Sequence, residues 1–268
     1  MAKLGVIHYP FPKLTLSEFL SYAARTGFGY VELQIGDVWK EADASSNPEA
    51  NAASVRREMD GLKLKASALA AGNDFILLEE EAVKRQVERM KRIVGLAQVL
   101  GASCIRTEGG SPKDAIPQAR WAEAIAGCME RLVPTAEKTK VGLAVDNHGY
   151  VTNAEGVLAE VFRRVECPLI GANLDTMNWR WFGHDLETVK RCWDAVISRT
   201  LHTHLKDGVG ARAEYKGMAL GEGELDLAYA VAGLKKAGYK GVWCAEYEGA
   251  EGSEVGYAKC LKWMKRNV

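Results

Sequence analysis

The sequence predicts an α/β fold, a single (β/α)8 TIM barrel spanning residues 1–268. Three observations lead there. Short β-rich runs alternate with longer helical patterns from end to end, the pattern of a parallel α/β chain. Eight such pairs fit into 268 residues, the size of a closed barrel. The later strand-like runs end on polar residues, as barrel strands do where they meet a site at the C-terminal mouth. No long linker, low-complexity tract or compositional break divides the chain, so one domain is expected.

Strands are expected over 4–8, 30–34, 64–69, 104–108, 141–146, 170–175, 200–206 and 242–246. The helices that follow them are expected over 16–26, 48–59, 79–100, 117–138, 153–165, 185–197, 227–237 and 255–266. The first helix opens at Thr15 or Ser17, both good N-cap types, and closes at Gly27. The third strand lies in an Ala-rich run and has the weakest β character. The helix after it carries Val83, Val87, Met90, Val94 and Ala97 at spacings of three and four, an amphipathic face, and ends at Gly101. In the fifth strand Val141, Leu143 and Val145 face one way and Gly142, Ala144 and Asp146 the other, leading into Asn147-His148-Gly149. Asn153 is the expected N-cap of the next helix. The sixth strand sets Asn173 and Asp175 on the inner face. The seventh, Thr-Leu-His-Thr-His-Leu-Lys-Asp over 200–207, sets His202 and His204 together on one wall, with Lys206 two further on. The stretch 208–223 has no periodicity and exceeds the usual loop length, so it is expected to act as a lid. Gly238 closes the seventh helix, and the eighth strand ends on Glu246.

Composition narrows the function classes. With 47% hydrophobic and 26% charged residues the chain has ordinary globular make-up and can bury a large core. Thirty-five basic residues balance 35 acidic ones, which disfavours nucleic acid as a partner and suits a small polar substrate. No apolar run is long enough to span a bilayer and no h-region precedes the first strand, so a cytoplasmic location is expected, with no membrane partner. The six cysteines lack Cys-x-x-Cys spacing, so they are expected to be reduced and mostly buried.

The chemistry gathers at the last four strand ends. Asp146, Asp175, His204 and Glu246 give each of four adjacent strands one candidate ligand. Three carboxylates and one imidazole form a hard, oxygen-rich set that suits a divalent metal, Mn2+ first and Mg2+ or Co2+ next, better than a structural zinc. Each acid alone is as readily a helix cap or a salt-bridge partner; the set of four is what points to a metal. After the sixth strand, Trp179, Arg180, Trp181 and His184 suit a sugar, whose apolar C–H patches stack on aromatic faces while its oxygens take polar partners. Either tryptophan equally serves to pack the loop onto the barrel. All five histidines fall at strand ends; His204 ranks first as a site residue, His184 second and His202 third, while His8 and His148 are more ordinary hydrogen-bonding residues. Glu32, Arg106 and Glu108, at the ends of the second and fourth strands, bind hydroxyls or pair with one another across the mouth. Lys206 is a candidate electrophile or base.

The runs Val145-Asp-Asn-His-Gly, Asn173-Leu-Asp-Thr, His202-Thr-His-Leu-Lys-Asp, Gly221-Glu-Gly-Glu-Leu-Asp and Ala245-Glu-Tyr-Glu resemble those of the xylose isomerase-like barrels. That superfamily contains sugar phosphate isomerases/epimerases, ketose 3-epimerases, inosose dehydratases and endonuclease IV enzymes. The resemblance covers most of the chain and is best from Val141 onward. It implies metal ligation by Asp146, Asp175, His204 and Glu246. Asp146 departs from the ketose epimerase pattern, which has Glu there, doubling as one of two acid/base carboxylates. One methylene shorter, Asp146 draws the metal toward strand five, binds through a water, or yields the acid/base role to another group.

The implied activity is a divalent-metal-dependent sugar isomerase or epimerase, abstracting a proton next to a carbonyl through a metal-stabilised enediolate. Glu246 is the expected acid/base, with Asp146 across the substrate and His184 or Lys206 assisting. His8, Glu108, His148, Trp179, Arg180, Trp181, His202 and Arg212 are the expected substrate contacts; Arg212 is the nearest match to the arginine that follows strand seven in the epimerases. The alternative is a lyase of the same superfamily, an inosose-type dehydratase or a C-glycoside deglycosidase acting on 3-keto-glycosides. The latter can need a small partner subunit, and a homo-oligomer stays open as well. Endonuclease IV chemistry needs more histidines than these strand ends offer.

Overall fold

The computed structural model describes residues 2–9, 11 and 14–268. Its strands are β1 (Leu4–Ile7), β2 (Tyr30–Gln34), β3 (Lys65–Ala70), β4 (Cys104–Thr107), β5 (Gly142–Asp146), β6 (Ile170–Asp175), β7 (Thr200–Leu205), a hairpin of β8 (Asp207–Val209) and β9 (Lys216–Met218), and β10 (Trp243–Ala245). All but the hairpin close a parallel barrel in the order β1-β10-β7-β6-β5-β4-β3-β2. Around it lie α1 (Leu16–Thr26), α2 (Pro48–Gly61), α3 (Glu80–Leu100), α4 (Trp121–Thr139), α5 (Val157–Arg164), a short α6 (Asn178–Phe182), α7 (Leu186–Val196), α8 (Leu227–Lys236) and α9 (Ser253–Asn267). The expected (β/α)8 barrel is the fold.

Local chemistry explains the element ends. Thr15 Oγ1 accepts from the Glu18 amide while Glu18 accepts from the Thr15 amide at 2.8 Å, a reciprocal cap on α1, and Gly27 ends that helix at φ 101°. Glu79 is the cap of α3 rather than its first residue, taking the amides of Glu81 and Ala82. Val83, Val87, Met90, Val94 and Ala97 are all buried on the barrel side, as their spacing predicts.

Four expectations need correction. Asn153 does not cap α5, which starts at Val157 behind Gly156; its side chain instead donates to the Gly149 carbonyl at 2.8 Å and braces the loop after β5. Pro117 opens a single 3-10 turn, so α4 begins at Trp121. The segment after Asp175 is not all loop, because α6 forms there. The stretch 208–223 is not without structure either. The Asp207 carboxylate accepts from the amides of Gly208, Gly221 and Gly223, and the β8–β9 hairpin folds over this anchor. Gly217 lets the hairpin close onto the loop after β10: a Cβ there would sit 2.5 Å from the Glu248 backbone.

The apolar core lies between strands and helices, where Ile105, Leu143, Val145, Leu174 and Leu205 are fully buried, each worth roughly 1.5–3 kcal/mol when removed from water. Inside the barrel, Ala68, Cys104 and Ala144 form a small apolar floor. Above it the interior is polar. A register shift between Ala172 and Asn173 then aligns Asn173 with His202 and Asp175 with His204. Gly171 allows the close approach behind that shift, since a Cβ would meet the Arg199 carbonyl at 2.0 Å. All six cysteines are free and buried. Among the described residues no helix is long and apolar enough to cross a membrane.

Candidate active site

Parallel register carries polar side chains from six strands into one continuous network. His204 sits at its centre. Its Nε2–H donates to Glu32 Oε2 from β2 at 2.7 Å, and because a carboxylate only accepts, this fixes the proton on Nε2. Nδ1 therefore faces the mouth, 2.8 Å from Glu246 Oε2 and 4.0 Å from Asp175 Oδ2. Asp175 Oδ1 caps α6 by accepting from the amides of Met177 and Asn178 at 2.7 and 2.8 Å. Its other oxygen is buried with no hydrogen-bond partner, and His204 Nδ1 is buried against the Glu246 carboxylate. Ligand atoms of Asp175, His204 and Glu246 lie within 4.8 Å of one another. A buried, unpartnered carboxylate oxygen that converges with an imidazole nitrogen and a second carboxylate is what a divalent-cation site requires of the protein, so these three residues fit one.

The structure brings these three expected ligands together and leaves Asp146 apart. Asp146 Oδ2 accepts from Arg106 Nη1 at 2.7 Å and its Oδ1 accepts from Asn173 Nδ2 at 2.8 Å, so both oxygens turn to neighbouring strands. Asn173 Oδ1 in turn accepts from His202 Nδ1 at 2.8 Å, and Arg106 Nε lies 3.0 Å from Glu32 Oε1. The shorter side chain is thus held in a buried ion pair.

Electrostatics follow from this packing. Burial alone would raise the Glu32 carboxyl, but His204, Arg106 and His202 outweigh it and hold it at about 2. Burial pushes His202 down to about 4, helped by the charges of His204 and Arg106, so it is neutral. Burial would also lower His204, yet Glu32 and Glu246 raise it well above the ordinary histidine value in the metal-free protein. Burial, then Glu246 and Asp146, raise Asp175 to about 8. For Glu246 burial is outweighed by Lys206 and His204, which hold it well below the usual carboxylate range. Lys206 Nζ lies 3.0 Å from Glu246 Oε1 and 2.7 Å from Glu248 Oε2, and despite burial these acids keep it charged.

A cavity of about 310 Å³ opens above, lined by His148, Gly149, Asn178, Trp181, Lys206 and Glu248. Of the expected substrate contacts, His148 and Trp181 thus reach it, and Tyr150 packs edge-on to Trp181 at 6.0 Å. The others have different partners. His8 stacks on Phe19 and contacts Asp37 at 3.0 Å. Glu108 lies 3.8 Å from Arg106. Trp179 is core, Arg180 pairs with Glu224 at 2.7 Å, and His202 lies beneath the site. His184 Nε2 bonds the Asn153 carbonyl at 2.9 Å, away from the converging carboxylates. Arg212 is exposed, donating to the Phe182 carbonyl at 2.8 Å.

Sequence reasoning missed Asn178, Glu248 and Tyr215. Tyr215, on the hairpin, has its ring centre 6.0 Å from Lys206 Nζ and a buried, unpartnered hydroxyl. Glu248 was legible in principle, two residues past Glu246 on the same side of the strand end. Nothing short of the hairpin fold indicates Tyr215.

The model of the xylose isomerase-like TIM barrel matches residues 20–267. The chain belongs to that family. Solved structures similar to it include an IolI protein with a bound zinc atom, at 18% identity and a TM-score of 0.79, covering 99% of this chain and 98% of that one. A xylose isomerase domain protein from Alicyclobacillus acidocaldarius is 17% identical at a TM-score of 0.76, with 99% and 98% covered. The D-allulose 3-epimerase from a Methylomonas species is 18% identical at 0.76, with 100% and 98% covered. At these identities the likeness establishes the shared barrel. No curated protein matches the chain at a significant level.

Proposed function

We infer that this member of the family is a divalent-metal-dependent sugar isomerase or epimerase. The observation that carries the reading is the buried, unpartnered Asp175 Oδ2 converging with His204 Nδ1 and the Glu246 carboxylate. These three residues are the proposed ligands, with manganese the first choice and magnesium or cobalt next; the zinc of the IolI structure keeps zinc in the comparison. When bound, such an ion supplies an electrophilic pull on a substrate carbonyl and its neighbouring hydroxyl.

The remaining work falls to the protein. Glu246 is ionised and takes the proton from the carbon next to the carbonyl, whose C–H electron pair moves toward the carbonyl oxygen. Lys206, charged and 3.0 Å from Glu246, donates to the oxygen as negative charge develops there. Return of the proton to the neighbouring carbon gives an isomer, and return to the opposite face of the same carbon gives an epimer. Trp181 and His148 line the wall where the rest of the sugar lies. The lyase reading is favoured by one feature: Asp146, held by Arg106 and Asn173, is not free to act as the second carboxylate opposite Glu246. One base beside an ammonium donor suits expulsion of a β leaving group.

Metal content of protein purified without chelator, beside an Asp175→Ala/His204→Ala double variant, tests the site. Incubation with ketoses and 3-keto-glycosides in D2O then tests the chemistry by NMR. Isomerisation conserves the formula and places deuterium at the reacting carbon, whereas a lyase releases water or an aglycone. Failure to take up any divalent ion, even on reconstitution, defeats the reading.

A further inference from the structure

The interior and mouth of the barrel carry an excess of negative charge. Among the described residues Glu32, Glu108, Asp146, Asp175, Glu246 and Glu248, six carboxylates, face two permanent cations in their ion-pair network, Arg106 and Lys206, with His204 a third while it keeps its proton. A divalent ion at Asp175, His204 and Glu246 offsets part of that excess and leaves the rest. Both cations are already paired, Arg106 with Glu32 and Asp146, and Lys206 with Glu246 and Glu248. Arg180 is neutralised by Glu224 at 2.7 Å. Arg212 lies outside the lining of the mouth cavity, its guanidinium 5.3 Å above the Phe182 ring.

Two sets of backbone amides that could hold an anion are also filled. Barrels of this architecture frequently grip a phosphate with the loops after the seventh and eighth strands and the start of a short extra helix. Here the amides of Gly208, Gly221 and Gly223 all turn to the Asp207 carboxylate, at 2.9, 2.9 and 3.1 Å. The amides that open α6 turn to Asp175. Internal carboxylates therefore occupy these amides of the seventh-strand loop and of the α6 start, where a phosphate could otherwise bind.

We propose that the site selects an uncharged polyhydroxy carbonyl substrate and rejects its phosphate ester, with Glu248 as the residue that sets the preference. Glu248 lines the mouth cavity of about 310 Å³ and a second one of about 420 Å³ beside the hairpin, and its carboxylate lies 2.7 Å from Lys206. An entering anion meets this carboxylate at the one cation of that lining. Hydroxyl groups instead find carboxylates to donate to. The proposal rests on reading the mouth as a sugar site.

The test is calorimetric titration of Mn2+-loaded protein, freed of unbound metal, with D-fructose and D-sorbitol and with their 6-phosphates, in parallel with Glu248→Gln. Each uncharged compound is expected to bind at least tenfold more tightly than its phosphate ester, and Glu248→Gln to narrow the gap at least threefold by strengthening the ester. Esters that bind as tightly as the parent compounds overturn the proposal, as does the absence of saturable binding by both uncharged compounds. An unchanged gap in Glu248→Gln removes Glu248 from the specificity role. Binding is read rather than turnover, so a protein that selects neutral polyols without isomerising any ketose keeps this inference while losing the functional reading.

Discussion

Glu32 and His204 are 172 residues apart in sequence and 2.7 Å apart across the barrel. The contact does more than neutralise charge. By holding one proton on Nε2 it turns Nδ1 toward Asp175 and Glu246, the position from which Nδ1 can ligate a metal once its own proton is displaced.

Replacing Glu32 with Gln should therefore weaken divalent-metal binding even though Glu32 is not a proposed ligand. An amide can meet either ring tautomer, so the preference for a free Nδ1 is lost. The expected loss is about 10–100-fold, the usual cost of removing such a support. Calorimetric Mn2+ titration of the folded variant measures it, and an affinity within threefold of the parent would show that the tautomer is fixed by something else.

Asp146 and Asp175 are both aspartates at adjacent strand ends, and they should respond oppositely to amide replacement. Asp175→Asn removes a converging oxygen and should abolish stoichiometric metal. Asp146→Asn disturbs only the contacts to Arg106 and Asn173 and should leave metal content near that of the parent. Stability should fall instead, by about 3–5 kcal/mol, because Arg106 stays buried with less compensation. Metal analysis and urea denaturation separate the two; equal metal loss would return Asp146 to the ligand set.

The barrel was legible because each β/α unit repeats its own local signals, and His202 and His204 declare their shared face through period-two alternation alone. The convergence of Asp175, His204 and Glu246 follows the same alternation: Asp175 and His204 are the last inward residues of their strands, and Glu246 directly follows β10. Partner choice was not legible. Whether Asp146 turns to a metal or to Arg106 depends on β4 register, 40 residues away, and on a side chain one methylene too short to reach past it. The hairpin was hidden because Asp207, which organises it, satisfies backbone amides 14 and 16 residues further on, a closure with no sequence period.

Asp207 makes its own prediction. In Asp207→Ala the amides of Gly208, Gly221 and Gly223 lose their shared acceptor, at a cost of about 1–3 kcal/mol for each one left buried and unsatisfied. The loss is local, so the hairpin should open before the barrel unfolds. Limited proteolysis should cut between 208 and 224 faster than in the parent at temperatures where the far-UV CD is unchanged. Cleavage that appears only with global unfolding would show that Gly217 packing suffices to hold the hairpin.

The pH dependence follows from the two groups that the metal would displace protons from. Burial together with Glu246 and Asp146 raises Asp175 to about 8, and Glu32 with Glu246 raises His204. Both folded values exceed the unfolded ones, so the metal-free folded state binds more protons than the unfolded state over that range. Stability from these groups is present in full below their unfolded values, near 4 for the aspartate and 6.5 for the histidine, and is lost as pH rises through the folded ones. A bound cation replaces those protons, so metal affinity should move the other way and increase with pH. The rise in Tm on adding saturating Mn2+ should consequently be larger at pH about 8.5 than at pH about 6, where Asp175 still holds its proton. A Tm increment that is flat across this window would mean that the metal engages neither Asp175 nor His204.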